Sequence, residues 1–125
     1  MLPLVEMGHQ EQGRSAEGTV DALLRRAGWE ILARNLRTPR AEVDIVAMSP
    51  EGDLVVVEVK SRHPLSWGQG EEALGWKQRA RLANALRYLG YQFPHQGMRI
   101  DLWCVDPLGL RPPKCYSDIE WKPGL

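Results

Sequence analysis

Three ionisable residues lie within two consecutive valine-rich segments, spaced so that they could act together. Asp44 stands in EVDIVAM, and Glu58 and Lys60 stand in LVVVEVK, with the turn-forming SPEGD between the two segments. Ionised side chains are costly to bury unless they are paired or hold a metal ion. Either the two segments are strands with one solvent-exposed face that carries these charges, or the three residues form a site for acid–base or metal-ion chemistry.

The turn between the segments predicts which side chains oppose each other. In an antiparallel hairpin closed through residues 49–53, opposed residues have numbers that sum to about 102, which places Asp44 across from Glu58. Side chains two residues apart share a face of a strand, so Lys60 stands beside Glu58. Two opposed carboxylates repel each other, and a divalent cation would relieve this repulsion better than Lys60 alone.

Carboxylate oxygens beside a lysine indicate a magnesium or manganese site. Mg²⁺ usually takes one or two carboxylates together with waters and phosphate oxygens. Asp44, Glu58 and the backbone carbonyl of Val59 are the predicted ligands, and Glu17 could reach them from the first turn of a helix. Lys60 would orient an attacking water or stabilise a pentavalent phosphate. Solvated charges on a half-exposed hairpin are the alternative explanation of so short a pattern.

The rest of the sequence predicts the elements that would position these side chains. In order they are a helix from its N-cap Ser15 to Gly28, strands at Trp29–Asn35, Glu42–Met48 and Leu54–Lys60, a helix from about Glu71 to Leu89, a strand at Met98–Asp106 and a short edge strand near Ile119–Trp121. Short loops make the first three strands an antiparallel meander, and the second helix predicts a parallel crossover to the fourth strand. We therefore expect an α/β fold, α-β-β-β-α-β, with a mixed central sheet flanked by helices.

Length and composition limit the alternatives. At 125 residues the chain forms one domain, predicted over residues 13–125 after a flexible N-terminal arm at residues 1–12. Two cysteines without metal-type spacing argue against a zinc site. The absence of a signal peptide and of a membrane-length apolar run predicts a cytoplasmic location and no membrane partner. Trp29, Trp76 and Trp103 are expected in the core.

Basic residues concentrate on either side of the acidic hairpin, although 16 basic residues balance 16 acidic ones overall. Six arginines face three acids between residues 14 and 40, and seven lysines or arginines face two acids between residues 60 and 99. A negative pocket between basic segments fits a phosphate backbone bridged to a cation. The residues predicted to contact nucleic acid are Arg37, Arg40, Arg62, Lys77 and Arg81. For Lys77, a solvated helix face is an equally open interpretation.

The same segments resemble the YraN-like proteins, a bacterial family described as endonuclease-like, within the PD-(D/E)xK nuclease superfamily. The resemblance spans about Gly13 to Asp106 and rests on GRSAE, ARNLR, AEVDIVA, VVVEVKSR, RIDLWCV and the helix that carries Lys77. It implies a restriction-endonuclease-like core. It also implies a catalytic triplet of Asp44, Glu58 and Lys60, with Glu17 as an accessory acid.

Two residues depart from the pattern of that family. Ala16 and Ala41 stand where it usually has glycine, before the glutamates of the first helix and of the second strand. If either glycine needs a positive φ or lets a backbone approach closely, alanine would shift the local geometry.

The resemblance implies a Mg²⁺- or Mn²⁺-dependent endonuclease that hydrolyses phosphodiesters in DNA. Junction-resolving members of the superfamily point to branched DNA as the substrate and to a homodimer that cuts two strands. The alternative is a nucleic-acid-binding module of the same fold with little or no catalytic activity. A third interpretation is an adaptor whose acidic hairpin binds a partner protein. Binding of a divalent ion separates the first interpretation from the third, and single-turnover cleavage separates the first from the second.

Overall fold

The computed structural model describes residues 9–68 and 73–121, with side chains from residue 16 onward. Its elements are α1 (His9–Arg26), β1 (Glu30–Arg37), β2 (Glu42–Met48), β3 (Leu54–Ser61), a short 3-10 helix (Pro64–Ser66), α2 (Trp76–Gly90), β4 (Met98–Val105) and β5 (Lys114–Tyr116). Within these described ranges, neither α-helix is long and apolar enough to cross a membrane.

The strands form one mixed sheet in the order β1-β2-β3-β4-β5. β1, β2 and β3 are an antiparallel meander, β4 runs parallel to β3, and β5 closes the edge antiparallel to β4. Because β3 and β4 are parallel, the chain between them must cross over, and α2 makes that connection. The predicted mixed sheet is confirmed, and it is compatible with a restriction-endonuclease-like core.

The alternation of side chains along the central strands builds a core on each face of the sheet. On one face α1 packs Val20 and Leu24 against Ile45, Val55 and Val57. On the other face α2 contributes leucines that pack against the opposite set of strand residues: Leu82, Leu86 and Leu89 meet Leu54, Val56 and Ile100. Glu58 and Lys60 continue the α2 face of β3, so they extend an apolar row toward the end of the strand.

The first helix starts earlier than the sequence suggested. It begins at His9, so Ser15 lies inside α1 and is not its N-cap. Gln, Glu and Arg between His9 and Ser15 have high helix propensity, so the helix extends toward the N-terminus through one glycine. Part of the predicted arm is therefore helical, and residues 1–8 lie outside the described residues. The other end follows the prediction, since Gly28 adopts φ 91° just after the helix.

Two other boundaries also differ from the prediction. α2 begins at Trp76 with Gly75 as its N-cap, so Ala73 and Leu74 precede the helix. The short edge strand lies at Lys114–Tyr116 instead of near Ile119. Ile119 is buried, which explains its apolar side chain. Its N–H donates to the carbonyl of Ile100 at 2.8 Å, but this single bond does not make it part of β5.

Candidate active site

The site is built where the pairing of β2 with β3 ends. Paired residues run from Met48 opposite Leu54 to Ile45 opposite Val57, which confirms the predicted register. One residue further on, the N–H of Val59 donates to Oδ2 of Asp44 at 2.8 Å. A side chain thus satisfies a strand N–H where the backbone pairing of these two strands stops. This bond fixes the Asp44 carboxyl between the two strands and beside the backbone of Val59.

Glu58 is the most enclosed acid of the site, with 5% of its surface exposed. Its Oε2 accepts a hydrogen bond from Nε2 of Gln78 at 2.5 Å and lies 3.4 Å from Nζ of Lys60. Burial, a hydrogen bond with the Asp44 carboxyl and the charge of Asp44 raise the pKa of Glu58 to about 8, although Lys60 opposes the shift. Without a further positive charge, Glu58 therefore keeps a proton at neutral pH.

Glu17 approaches the same carboxyls from the other side, from the middle of α1 and not from a first turn. Burial and the charge of Asp44 raise the pKa of Glu17, while Arg34 and the side chain of Asn35 lower it. Oε1 of Glu17 lies 3.7 Å from a guanidinium nitrogen of Arg34. That oxygen is buried and accepts no hydrogen bond from the described part of the chain. A buried acceptor without a donor is uncommon in a folded protein.

These oxygens fit a hard divalent cation. Asp44 and Glu58 offer adjacent carboxyls, and Glu17 offers an acceptor that lacks a hydrogen bond. Within residues 9–68 and 73–121, no group of three or more Asp, Glu, His or Cys side chains is placed so that it could hold a metal ion. An Mg²⁺ site needs no such group, because one or two carboxylates suffice when waters and substrate phosphates complete the coordination.

Gln78 is a site residue that the sequence analysis missed. It lies in the first turn of α2 and donates to Glu58, while its Oε1 accepts a hydrogen bond from Arg81 at 3.0 Å. From the sequence, the neighbouring Lys77 was the candidate for a contact with nucleic acid, with a solvated helix face as the alternative. A glutamine beside two basic residues has no distinctive signal in the sequence. Only the rotation of α2 about its axis decides which of these side chains points toward Glu58.

Asn35 is the second residue that the sequence analysis missed. It adopts φ 50°, a left-handed conformation that is uncommon outside glycine and favours asparagine among the other residues. Its side chain lies close enough to Glu17 to favour the ionised form of that acid. The preceding Arg34 binds Asp21 of α1 at 3.1 Å, which ties β1 to α1 at this point. The ARNLR segment contained this signal, since asparagine inside a strand is rare.

The basic residues predicted to contact nucleic acid lie at the surface around the site. Arg37 ends β1 and lies 3.9 Å from Glu42, Arg40 is exposed in the following loop, and Arg62 is exposed after β3. Lys77 is exposed, with its Nζ 5.7 Å from the ring centre of Trp76. The prediction that Trp76 belongs to the core is wrong, since 69% of its surface is exposed.

Comparison with known proteins identifies the family. Residues 16–105 match the family described as "Uncharacterised protein family UPF0102". The chain belongs to the UPF0102 family. A UPF0102 protein of Granulibacter bethesdensis is 42% identical over 78% of this chain, which spans 61% of that longer relative. UPF0102 proteins of Natranaerobius thermophilus and Anaeromyxobacter sp. are 35% and 40% identical, over 79% and 91% of this chain and 86% and 90% of their own lengths. The resemblance to the YraN-like proteins is confirmed at the level of the family.

The two alanines that depart from the pattern of this UPF0102 family cause no backbone strain here. Ala16 is buried where α1 meets the sheet, and Ala41 packs half-buried at the start of β2. Among the described residues other than glycine, positive φ occurs at Asn35 and Asp118, and at neither alanine. The positions before Glu17 and Glu42 therefore hold alanine without a positive φ.

Proposed function

We propose that this UPF0102 protein is a Mg²⁺- or Mn²⁺-dependent DNA endonuclease that hydrolyses phosphodiester bonds. One observation carries the proposal: the carboxyl of Glu58, 5% exposed, lies within hydrogen-bond reach of the Asp44 carboxyl, and burial and Asp44 both raise the pKa of Glu58. Lys60 at 3.4 Å is the cation nearest to Glu58 among the described ion pairs. A divalent cation would add positive charge beside the two acids, and phosphate oxygens commonly complete the coordination of such an ion.

Each side chain of the site has a role that its contacts support. Asp44 and Glu58 would hold the cation, with Glu17 as an accessory acid nearby, and the bound cation would lower the pKa of a water and neutralise charge on the phosphate. Lys60 lies beside Glu58, where an ammonium can orient a water or stabilise an anionic phosphate. Gln78 fixes one oxygen of Glu58, as outer partners of metal ligands commonly do.

The surroundings of the site favour a polyanionic substrate. Arg37 is exposed at the end of β1, Arg40 and Arg62 are exposed on the loops that border β2 and β3, and α2 adds Lys77 and Arg81. Exposed cations around an acidic centre would bind the phosphates on either side of the one under attack. A homodimer that brings two such sites to two strands, and a cytoplasmic location, belong to the same proposal.

Cleavage assays with matched charge variants test the proposal. Supercoiled plasmid and labelled duplex should be cut with Mn²⁺ or Mg²⁺ and left intact in EDTA. Glu58→Gln and Lys60→Gln should each lower the single-turnover rate by about 100-fold or more. Glu51→Gln is the control, because Glu51 is exposed in the turn at the opposite end of the hairpin.

Two results would contradict the proposal. Equal cleavage by the wild type and both site variants would remove Glu58 and Lys60 from the reaction. Salt-dependent DNA binding without cleavage under any metal condition would instead favour the non-catalytic nucleic-acid-binding module.

A further inference from the structure

A groove of about 910 Å³ lies beside the candidate active site, where β3 and β4 end. One wall is the loop after β3 and the other is the loop after β4 together with β5. We call it the β3–β5 groove and define it by the exposed apolar and basic residues that line it, namely Leu65, Leu108, Leu110, Arg111 and Lys114.

The leucines of the β3–β5 groove are exposed to an unusual degree. Leu65, Leu108 and Leu110 expose 91%, 72% and 78% of their surfaces. A single exposed leucine needs no explanation, but several around one groove indicate a surface that contacts something else.

Hydrogen bonds hold both walls in place, so the leucines are presented by ordered loops. The buried carboxylate of Asp106 accepts from the N–H groups of Leu108, Leu110 and Arg111 at 3.0, 3.2 and 3.1 Å. On the opposite wall, Nδ1 of His63 accepts from the N–H of Leu65 at 3.2 Å. An ordered apolar surface binds a partner at a lower cost in conformational entropy than a loose one.

The charge of the groove is positive. Arg111 and Lys114 line it, and the one carboxylate among the described lining residues, Asp106, is bonded to its own loop. The groove is thus suited to an anionic partner with apolar parts.

A row of cations connects this groove to the candidate active site. Lys60 pairs with Cys104 of β4, and Cys104 pairs with Lys114 of β5, so the two lysines lie on one face about 10 Å apart. Burial raises the pKa of the Cys104 thiol, and the charges of Arg62, Lys114 and Lys60 oppose that shift. All three cations therefore lie around this end of β4, from Lys60 beside Glu58 to Lys114 in the lining of the groove.

We propose that the β3–β5 groove binds an unpaired nucleic-acid strand next to the candidate active site, an inference that rests on the proposed function. The row of cations would follow the phosphates from Lys60 to Lys114. The leucines would contact the bases, whose apolar faces are available in a single strand and are stacked away in a duplex. Leucine and proline side chains are also known to wedge between unstacked bases.

Binding of three labelled DNAs tests this inference: oligo-dT, a blunt duplex and a forked duplex with an unpaired arm, all in EDTA so that none is cut. The double variant Leu108→Ser/Leu110→Ser and the single variant Lys114→Gln should bind oligo-dT and the fork about tenfold more weakly. Their affinity for the blunt duplex should stay near that of the wild type. Tyr91→Ser and Arg87→Gln are the matched controls, since both residues are exposed around the start of β4, at the opposite end of the sheet.

The outcomes separate this inference from the proposed function. Unchanged affinity for all three DNAs, or an equal loss for duplex and fork, overturns the groove assignment. If the same variants still cut plasmid with Mn²⁺, the proposed function stands and only the groove assignment is lost. A wild type that neither binds nor cuts DNA overturns both. Leucine variants that change only the sedimentation of the protein would make the groove a contact between two copies, which also overturns the inference.

Discussion

Glu58→Gln replaces an ionisable group of the candidate site with a neutral one while keeping the shape of the side chain. In the folded protein the pKa of Glu58 is raised from 4.5 to about 8, first by burial and then by Asp44. Between these two values the folded state binds more protons than the unfolded chain, so the free energy of unfolding falls as pH rises. At about 1.4 kcal/mol for each unit of pKa, the whole shift corresponds to an upper limit of about 5 kcal/mol.

Glutamine avoids this penalty because it resembles the protonated acid. Its carbonyl can accept the hydrogen bond from Gln78, and its amide can donate to Asp44 as the protonated carboxyl does. Without metal, we expect the two proteins to have similar free energies of unfolding near pH 4.5, where the penalty begins, and the variant to be more stable by up to about 2 kcal/mol at pH 6. Above pH 8 the variant should be the more stable protein by a larger margin, up to the limit of about 5 kcal/mol.

Thermal and urea melts in EDTA at pH 6, 7.5 and 9 measure the difference. For a domain of this size, 1 kcal/mol moves the melting temperature by about 4 °C. Glu51→Gln, in the exposed turn, serves as the control and should follow the wild type at every pH. If the curves of wild type and Glu58→Gln stay parallel from pH 6 to pH 9, the carboxyl of Glu58 is not held in its protonated form and the reasoning is wrong.

The same two proteins report on the metal. Mn²⁺ must compete with the proton on Glu58, so its stabilisation of the wild type should grow as pH rises toward 8. At a concentration 100 times the dissociation constant, a bound ion adds about 2.7 kcal/mol to the free energy of unfolding. Glu58→Gln loses an anionic oxygen and should gain little from Mn²⁺. Equal metal-dependent shifts in the two proteins would mean that Glu58 is not a ligand.

Two further predictions concern the residues around the site. Asn35→Ala should be less stable than Asn35→Gly by about 1 kcal/mol in urea denaturation, because both lose the amide but only alanine disfavours a φ of 50°. Equal stabilities of the two variants would contradict the left-handed conformation of Asn35. Arg37→Gln and Arg40→Gln should weaken DNA binding for all sequences and lower the slope of log affinity against log salt by about 1 for each phosphate that the variant no longer neutralises. An affinity of the wild type that does not change between low and physiological salt would contradict the assignment of that loop to phosphates.

The hairpin was predictable from sequence because its determinants are local. SPEGD limits the turn to a few residues, and a one-residue slip would move Glu58 and Lys60 to the other face of the sheet. The register that opposes Asp44 to Glu58 follows from these two constraints, and it agrees with the ladder that ends at Ile45 and Val57. The parallel crossover through α2 was predictable for a similar reason, since few topologies connect strand, helix and strand.

Features that depend on the placement of one element against another could not be predicted. Gln78 faces Glu58 only because of the rotation of α2 about its axis, which also exposes Trp76 and Lys77. Predicting that α1 starts at His9 would have required the helix propensities to be summed residue by residue. A glycine in the segment obscured that sum. The edge strand was assigned to Ile119 on its apolar character, although pairing depends on which residues lie beside β4.

Other buried acids of this chain show what a purely structural carboxylate looks like here. Asp101 accepts from Arg99 and Ser117 and from the N–H of Asp118, which ties β4 to the segment after β5. Asp106 accepts from three N–H groups of its own loop. Each has donors and no opposing acid in these contacts.

Glu58 differs from both of these acids because the carboxyl of Asp44 lies beside its donors, and burial first and then Asp44 raise the pKa of Glu58. The fold can satisfy a buried acid with an arginine or with backbone N–H groups, as it does elsewhere. At the end of β3 it places one lysine and a glutamine against two acids, with Glu17 nearby. The proton that Glu58 keeps beside Asp44 must be lost before both acids are ionised, and in the proposed function a divalent cation would take its place.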